Sequence, residues 1–302
     1  MANLNLLDIA KLNAGDAAVG LIEEAHTSHP EVRIGAARTI KGTTFSTKVR
    51  TGLPTAAFRN ANEGVAASKS TYENRLVQCF ILNPRWETDK AVANAYEDGP
   101  EALIALEGAG QVEASLQTLG SQMYYGTAND AKGFPGLVDV VQSSMVIDAG
   151  GTTSSTGSSV WAVRFGPADV QFVLGQDGEI EMPETYTARV TDDDNNPYTA
   201  YVSELTAHVG LMVGSVTSIG QIKDLTKDSG KGLTDALLED LLATFPAGKQ
   251  PNALFCSRRS LGQLRKSRTA TNATGKEAPL PADFDGIPLY STDSITNTET
   301  LS

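Results

Sequence analysis

The sequence is poor in the residues that most often carry chemistry. Its 302 residues include two cysteines, three histidines and two tryptophans. Cys79 and Cys256 each sit in an apolar run, Val77–Ile81 and Leu254–Cys256, so both read as buried thiols and not as a disulfide framework. His26 and His29 stand beside Pro30 with no cysteine or acidic cluster at ligand spacing, which argues against a metal centre. His208 falls in a strand-like run. Gly-x-Ser-x-Gly is absent, and no nucleophile–histidine–acid set emerges. No catalytic, cofactor-binding or metal-binding residue is assigned.

Long apolar runs are also missing. None approaches the ~18 residues of a membrane span. Met1–Leu7 lacks the basic head and apolar core of a signal peptide. The expectation is a soluble protein made in a cytoplasm. Positive charge is scarce too: 24 Lys and Arg against 36 Asp and Glu give a net charge of −12. A field of that sign repels phosphate backbones and disfavours sequence-wide binding to nucleic acid.

Three near-motifs fail on detail. "DSGKGLTD" (228–235) places Gly-Lys before a helix, but a phosphate loop needs a leading glycine where Leu225 stands and a Ser or Thr where Gly232 stands. Asp192–Asn196 suggests a calcium loop, but Pro197 and Ser203 occupy the positions of its glycine and its last glutamate, so a solvated turn is the reading. Asn272-Ala273-Thr274 matches a glycosylation sequon that has no meaning without secretion.

What is present is a core-forming chain, 40% apolar, long enough for two modest domains or one large one with insertions. Residues 1–30 form an amphipathic segment (Ile9, Leu12, Ala17, Leu21, Ile22), broken by Gly15 and Gly20 and ended by Pro30. Residues 32–60 and 76–92 read as extended strands flanking a small, polar stretch at 61–75, the pattern either of a hairpin that leaves the body of the protein or of an ordinary surface hairpin with a long loop. A helix is predicted over 98–125, with its apolar stripe at Ala102, Ala105, Ala109, Val112, Leu116, Leu119 and Met123, widened by Leu103 and Leu106 and roughly 38 Å long; packing on a sheet is preferred to the rival coiled coil, since ordered flanking charge pairs are lacking. Residues 129–141 read as a turn into a strand, 148–159 as a Gly/Ser/Thr loop, and 160–213 as antiparallel β-structure. The last third alternates strand (216–225), helix (234–245), strand (252–257), helix (257–268) and strand (286–291), a small α/β unit. The one basic cluster, Arg258, Arg259, Arg265, Lys266 and Arg268, is either a solvated helix face or an inter-subunit or anion contact.

Several stretches, in order, carry a family resemblance: "GTTFSTKVRTGLPTAAFRNANEG" (42–64), "QMYYGTANDAKGFPGL" (122–137), "SSVWAVRFGP" (158–167), "LRKSRTATNATG" (264–275) and "DFDGIPLYSTDSITNTE" (283–299). Together they resemble the major capsid proteins of tailed bacteriophages with the HK97-type fold. The resemblance implies an α+β chain in five parts: an N-terminal arm (1–40), an extended loop with flanking strands (41–92), a peripheral domain carrying a long spine helix (93–140), a mixed α/β axial domain (141–290) and a return to the peripheral domain (291–302). It implies self-assembly into hexamers and pentamers of an icosahedral shell around double-stranded DNA, with no catalysis, no cofactor and no membrane. Scaffolding, portal and decoration proteins are the further partners it implies. The short arm points to a separate scaffolding protein or none. Contact residues between subunits are expected at Leu53, Phe58, Arg59, Asn62 and Lys69 in the loop and at Arg258, Arg259, Arg265 and Arg268. Some relatives crosslink a lysine of this loop to an asparagine; Lys69 lies in the matching region, and no partner for it is identifiable.

Two other readings compete. One is an encapsulin-like compartment shell; the other is a small-molecule enzyme with a site at the strand ends of the C-terminal α/β unit. Size-exclusion chromatography of the purified protein separates shell from enzyme: megadalton particles are expected, and a stable monomer or dimer under all assembly conditions would favour the enzyme.

Overall fold

The computed structural model describes residues 4–13, 24–181, 184–270 and 276–301. The sequon at 272–274 and the expected helical positions Gly15, Ala17, Gly20, Leu21 and Ile22 lie outside the described residues.

One long antiparallel ladder runs through the middle of the fold. Phe80–Leu82 pairs with Thr206–Val213, and Arg85–Asp89 pairs with Pro197–Glu204. Phe80 faces Val209 and Asp89 faces Ala200, and between them Leu205 N–H donates to Pro84 O at 3.1 Å. The two stretches therefore share one register, although a proline interrupts the strand. Val170–Leu174 flanks Thr206–Val213 on the other side, and Ala37–Thr39 pairs parallel to Val170–Leu174. Tyr186–Thr191 closes the far edge against Pro197–Glu204. Its turn is the expected one: Asp192 Oδ1 accepts from the N–H groups of Asp194 (3.0 Å) and Asn196 (2.7 Å), which engages that carboxylate in the turn itself.

A second sheet runs Asp283–Phe284, Ile287–Ser291, Ala253–Cys256, Val160–Val163, Ile219–Lys223, Val146–Asp148. The expected helices appear as Asp235–Ala243 and Arg258–Ala270. Thr234 caps the first by accepting from Leu237 N–H, and Leu238 and Leu241 are buried with Ile222 and Leu254. The C-terminal unit is not purely parallel, however. Val160–Val163, buried at every residue, inserts antiparallel between Ile219–Lys223 and Ala253–Cys256. The final strand does pair parallel to Ala253–Cys256, and Asp285-Gly286 folds the short outer strand back on it. Both of those turn residues have positive φ (50° and 75°), which Asp and Gly tolerate.

Four local expectations are corrected. Pro30 opens a short helix, Pro30–Ile34, at a position where its missing N–H costs nothing, instead of ending one. Thr71–Arg75 belongs to a strand and not to the polar tip. Lys90–Ala93 is helical, because Asp89 Oδ1 accepts from Ala91 N–H at 2.8 Å. Leu137–Val140 is a helical turn and not a strand; Asp139 Oδ2 accepts from Gly136 N–H (2.9 Å) and Thr127 N–H (3.0 Å), which closes the chain locally.

The long helix spans Pro100–Tyr125, about 39 Å. Its inward face matches the expected stripe only in part, at Leu103 and Met123. Leu103, Gln111, Gly120, Met123 and Tyr124 are buried, whereas Ala105, Ala109, Val112 and Leu116 are exposed. Gln111 faces inward because its Nε2 donates to Ser203 O at 3.3 Å. Gly120 faces inward because two chain segments cross the helix there, and a Cβ would collide with Ser294 Oγ and Glu31 Oε1. Apolar periodicity registers neither reason. Beyond the crossing, Tyr124 packs in a core cluster with Trp161 and Phe255, ring centroids 6.3 and 6.0 Å away.

In an ordinary helix Gly→Ala stabilises by about 1 kcal/mol. At Gly120 the expected sign is reversed: Gly120→Ala should destabilise by about 1–3 kcal/mol through overpacking, read as a lower urea midpoint at unchanged slope. A stabilised variant would show that the crossing is loose.

Candidate inter-subunit surfaces

Thr44–Gly52 and Thr71–Gln78 form a two-stranded hairpin, paired from Thr44–Gln78 to Gly52–Thr71 with a register shift near Gly52. Its base is anchored by Val77 and Cys79, buried with Val173 and Met212 and flanked by Ile40 and Phe45. Burial without a charged neighbour raises the Cys79 thiol above its ordinary range, and Cys256 is pushed up to about 12 for the same reason. Both thiols are free and buried, as the sequence implied.

Every residue from Leu53 to Lys69 is exposed. Leu53 is 74% exposed and Phe58 is 108% exposed, so neither apolar side chain is covered by its own subunit. The tip nonetheless has a defined shape. Glu63 Oε2 accepts from Asn60 N–H (3.3 Å) and Nδ2 (3.1 Å), and Arg59 Nη1 donates to Glu63 O at 2.8 Å. Asn62 takes the left-handed conformation that this turn needs (φ 68°). Ser68 Oγ bonds both the N–H and the O of Thr55 across the neck. Leu53, Phe58, Arg59, Asn62 and Lys69 are thus carried on one projecting element.

The four arginines lie on another element, the helix Arg258–Ala270. Arg268 forms a fork on Asp235, with Nη2–Oδ1 at 2.7 Å. Arg259 donates to Thr156 O, Leu225 O and Asn297 O. Arg265 bonds Ala278 O and Glu277. Arg258 reaches Asp293 at 3.4 Å while its side chain stays 75% exposed. Much of the basic run thus ties loops of the subunit together, while Arg258 and Lys266 are exposed.

Sequence reasoning missed a polar cluster of residues far apart in the chain. Ser294 Oγ donates to the buried Glu31 Oε1, and it stands 2.7 Å from His29 Nδ1. Ser294 has one proton, so His29 Nδ1–H is the donor to Ser294, and Nε2 on the other side of the ring lies 2.6 Å from Thr27 Oγ1. The set contains a serine, a histidine and an acid, but the imidazole cannot take the serine proton. The cluster is a buried pin, not a nucleophile. Next to it, burial and then the Glu31 charge hold the Tyr124 phenol well above its ordinary range. The C-terminal segment continues the fastening: Tyr125 Oη and Ser159 Oγ both donate to Glu299 Oε1, at 2.6 and 2.9 Å.

The Gly/Ser/Thr loop is ordered by one carboxylate. Asp228 accepts from Thr153 Oγ1 (2.6 Å), the N–H groups of Thr152 and Thr153 (both 3.1 Å) and Thr226 Oγ1 (2.8 Å). These bonds, the Thr153 hydroxyl foremost, hold its carboxyl well below the usual range. The failed phosphate-loop stretch therefore has a structural use. Among the described residues no group of three or more His, Cys, Asp or Glu could hold a metal, and no helix is long and apolar enough to cross a membrane.

A groove of about 370 Å³ lies between the Phe80–Pro84 stretch and the long helix, floored by Leu119, Phe134 and Val209. It shares Phe80 with a second groove, about 420 Å³, under the base of the hairpin.

The family model described as major capsid protein GP7 matches residues 34–301. Among solved structures, the bacteriophage Epsilon15 structure is similar over 99% of this chain and 97% of that one, with a TM-score of 0.74 at 20% identity. The capsid of Myoviridae phage XM1 covers 70% of this chain and 97% of its own, with a TM-score of 0.51 at 10% identity. An encapsulin from Synechococcus elongatus reaches a TM-score of only 0.47 at 7% identity, over 75% of this chain and 97% of its own. No curated protein matches.

A depressed carboxyl contributes stability above its unfolded pKa, and that contribution is lost only as pH falls through the lower folded value. The Asp228 loop should therefore stay ordered at pH 4. Asp228→Asn should raise hydrogen exchange at the Thr152 and Thr153 amides roughly tenfold at neutral pH; unchanged protection would show that the loop is held elsewhere.

Proposed function

The chain belongs to the major capsid protein GP7 family, and from that premise we propose that its copies close into hexamers and pentamers of an icosahedral shell around double-stranded DNA. It is a phage capsid protein with the HK97-type fold. The observation that carries the finer reading is the hairpin. A subunit that orders the tip from Leu53 to Lys69 through its own hydrogen bonds, yet covers none of it, presents a contact that only another molecule can bury.

In this reading the loop residues Leu53, Phe58, Arg59, Asn62 and Lys69 lie against a neighbouring copy. Arg258, with Arg259, Arg265 and Arg268 behind it, supplies a second, charged contact. Each interface is modest, but closed rings repeat it many times, so avidity holds the shell. The division into arm (1–40), loop (41–92), peripheral domain (93–140), axial domain (141–290) and C-terminal return (291–302) follows the same reading. Net charge −12 suits a wall that encloses DNA without gripping it by sequence. Portal, scaffolding and decoration proteins are the further partners, and the host bacterial cytoplasm is where the subunit is made. Its work is geometric, with no reaction step. Nothing in the structure favours the encapsulin-like reading or the enzyme reading.

Replacing Thr55–Ser70 with a short Gly-Ser turn tests this. The expected product is a soluble, folded subunit that forms no shells by electron microscopy. Normal shells from that variant would remove the loop from assembly.

A further inference from the structure

We infer that shell assembly is switched by salt: a strip of unpaired cations running from Arg33 to Lys69 is drawn electrostatically to the acidic surface of a second copy. This inference rests on the reading of the loop as an inter-subunit contact and adds how that contact is regulated.

Charge is segregated along the chain. Residues 33–75, the root, strands and tip of the hairpin, carry eight Lys and Arg against two Asp and Glu, a net +6; all other residues carry sixteen against thirty-four, a net −18. Elsewhere, cations are answered inside the subunit: Arg85 by Glu87 at 2.9 Å, Arg265 by Glu277 at 3.0 Å, Arg268 by Asp235 at 2.7 Å. In the strip, Arg75 alone comes near a carboxylate, Glu73 at 3.8 Å. The other seven cations are exposed, and among the described residues none of them makes an ion pair.

The strip is presented in a fixed way. The pairs Arg50–Tyr72, Lys48–Asn74 and Ser46–Leu76 share one face of the hairpin, and Phe45 and Val77, which anchor its base, lie on the other. Arg50 lies 5.4 Å over the Tyr72 ring and donates to its Oη at 3.4 Å, and Arg38 lies 4.9 Å over the Phe45 ring. Guanidinium groups held on rings lose little freedom when they meet a partner.

The partner follows from sign. The negative charge that the strip lacks is in surplus on the body of every other copy, at exposed residues such as Asp194, Glu239 and Asp240. Body repels body, so attraction selects the approaches that lead with the strip. Range then sets the salt dependence. At about 0.01 M salt the Debye length is about 30 Å, and whole subunits of charge −12 repel one another. At about 0.1 M it is about 10 Å, which screens that repulsion and leaves charges in contact attracting. At about 1 M it is about 3 Å, and the contact itself is screened. Assembly is therefore fastest at intermediate salt.

Light scattering follows assembly of full-length subunits across that range, for the wild type, for Lys48→Glu with Arg50→Glu, and for Lys227→Glu with Lys249→Glu, which makes the same charge change at exposed residues of the body. The wild-type rate is expected to peak near ~0.1 M and to fall roughly tenfold by ~1 M. Near ~0.1 M the strip variant is expected to assemble about tenfold more slowly than the body variant, and at ~1 M the two should coincide. A wild-type rate that keeps rising to ~1 M, or equal rates for the two variants throughout, would overturn the switch; the wild-type profile decides even where a variant folds poorly. Nucleic acid bound to free wild-type subunits and lost from the strip variant would assign the strip to a polyanion and overturn it as well. In either case the loop contact stands if replacing Thr55–Ser70 still abolishes shells, and normal shells from that replacement would overturn the underlying reading too.

Discussion

A buried carboxylate sets the terms for this fold. Glu31 is fully buried, and removing its charge from water costs several kcal/mol unless the site answers it. Part of the answer comes from Ser294, 263 residues away, which donates to Oε1, with His29 Nδ1 3.8 Å from the same oxygen; Oε2 has no hydrogen-bond partner among the described residues. Ser294 reaches it only if the N-terminal segment and the C-terminal segment meet over Gly120, where an added Cβ would collide with Ser294 Oγ and Glu31 Oε1. The helix end, the aromatic cluster behind Tyr124 and the loop held by Glu299 follow from that meeting. Contacts of such separation close late and slowly, so the helix has a full tertiary setting only when most of the chain is present.

The same chain leaves other surfaces unanswered. Ala105, Ala109, Val112 and Leu116 form an outward stripe on the long helix, and the hairpin tip is bare. A monomeric protein seldom exposes so much apolar surface in ordered elements, and such surface marks a site of contact with other molecules. The acidic surplus keeps such a subunit soluble.

Much of the fold was legible in the sequence. The helix ends, the turn at Asp192–Asn196, the β–α alternation of the last third and the projecting hairpin all rest on local signals: Pro and Gly punctuation, caps and period. The errors share a cause. The helix stripe was misjudged in part: Leu103 and Met123 face inward as expected, but Gln111 and Gly120, which hydropathy scores as outward, hold other inward positions. Leu137–Val140 was misread because one aspartate outweighed β-branched propensity. The Glu31–His29–Ser294 pin could not be seen at all, since no spacing rule joins residues at opposite ends of a chain. The tip residues were legible as one exposed group, while the arginines proved to be engaged largely within the subunit.

The unbroken register from Phe80–Val209 to Asp89–Ala200 has a mechanical consequence. Sliding one strand by a single residue would turn every side chain to the wrong face, so the ladder resists shear along its whole length. The hairpin grows directly from one end of it, and Asp89 at the other end starts the turn that leads into the long helix. Turns at 94–98 and Gly99, whose φ is 87°, separate this ladder from the long helix. A load applied at the tip is therefore carried stiffly along the ladder itself, and a change of shape is taken up beyond its ends.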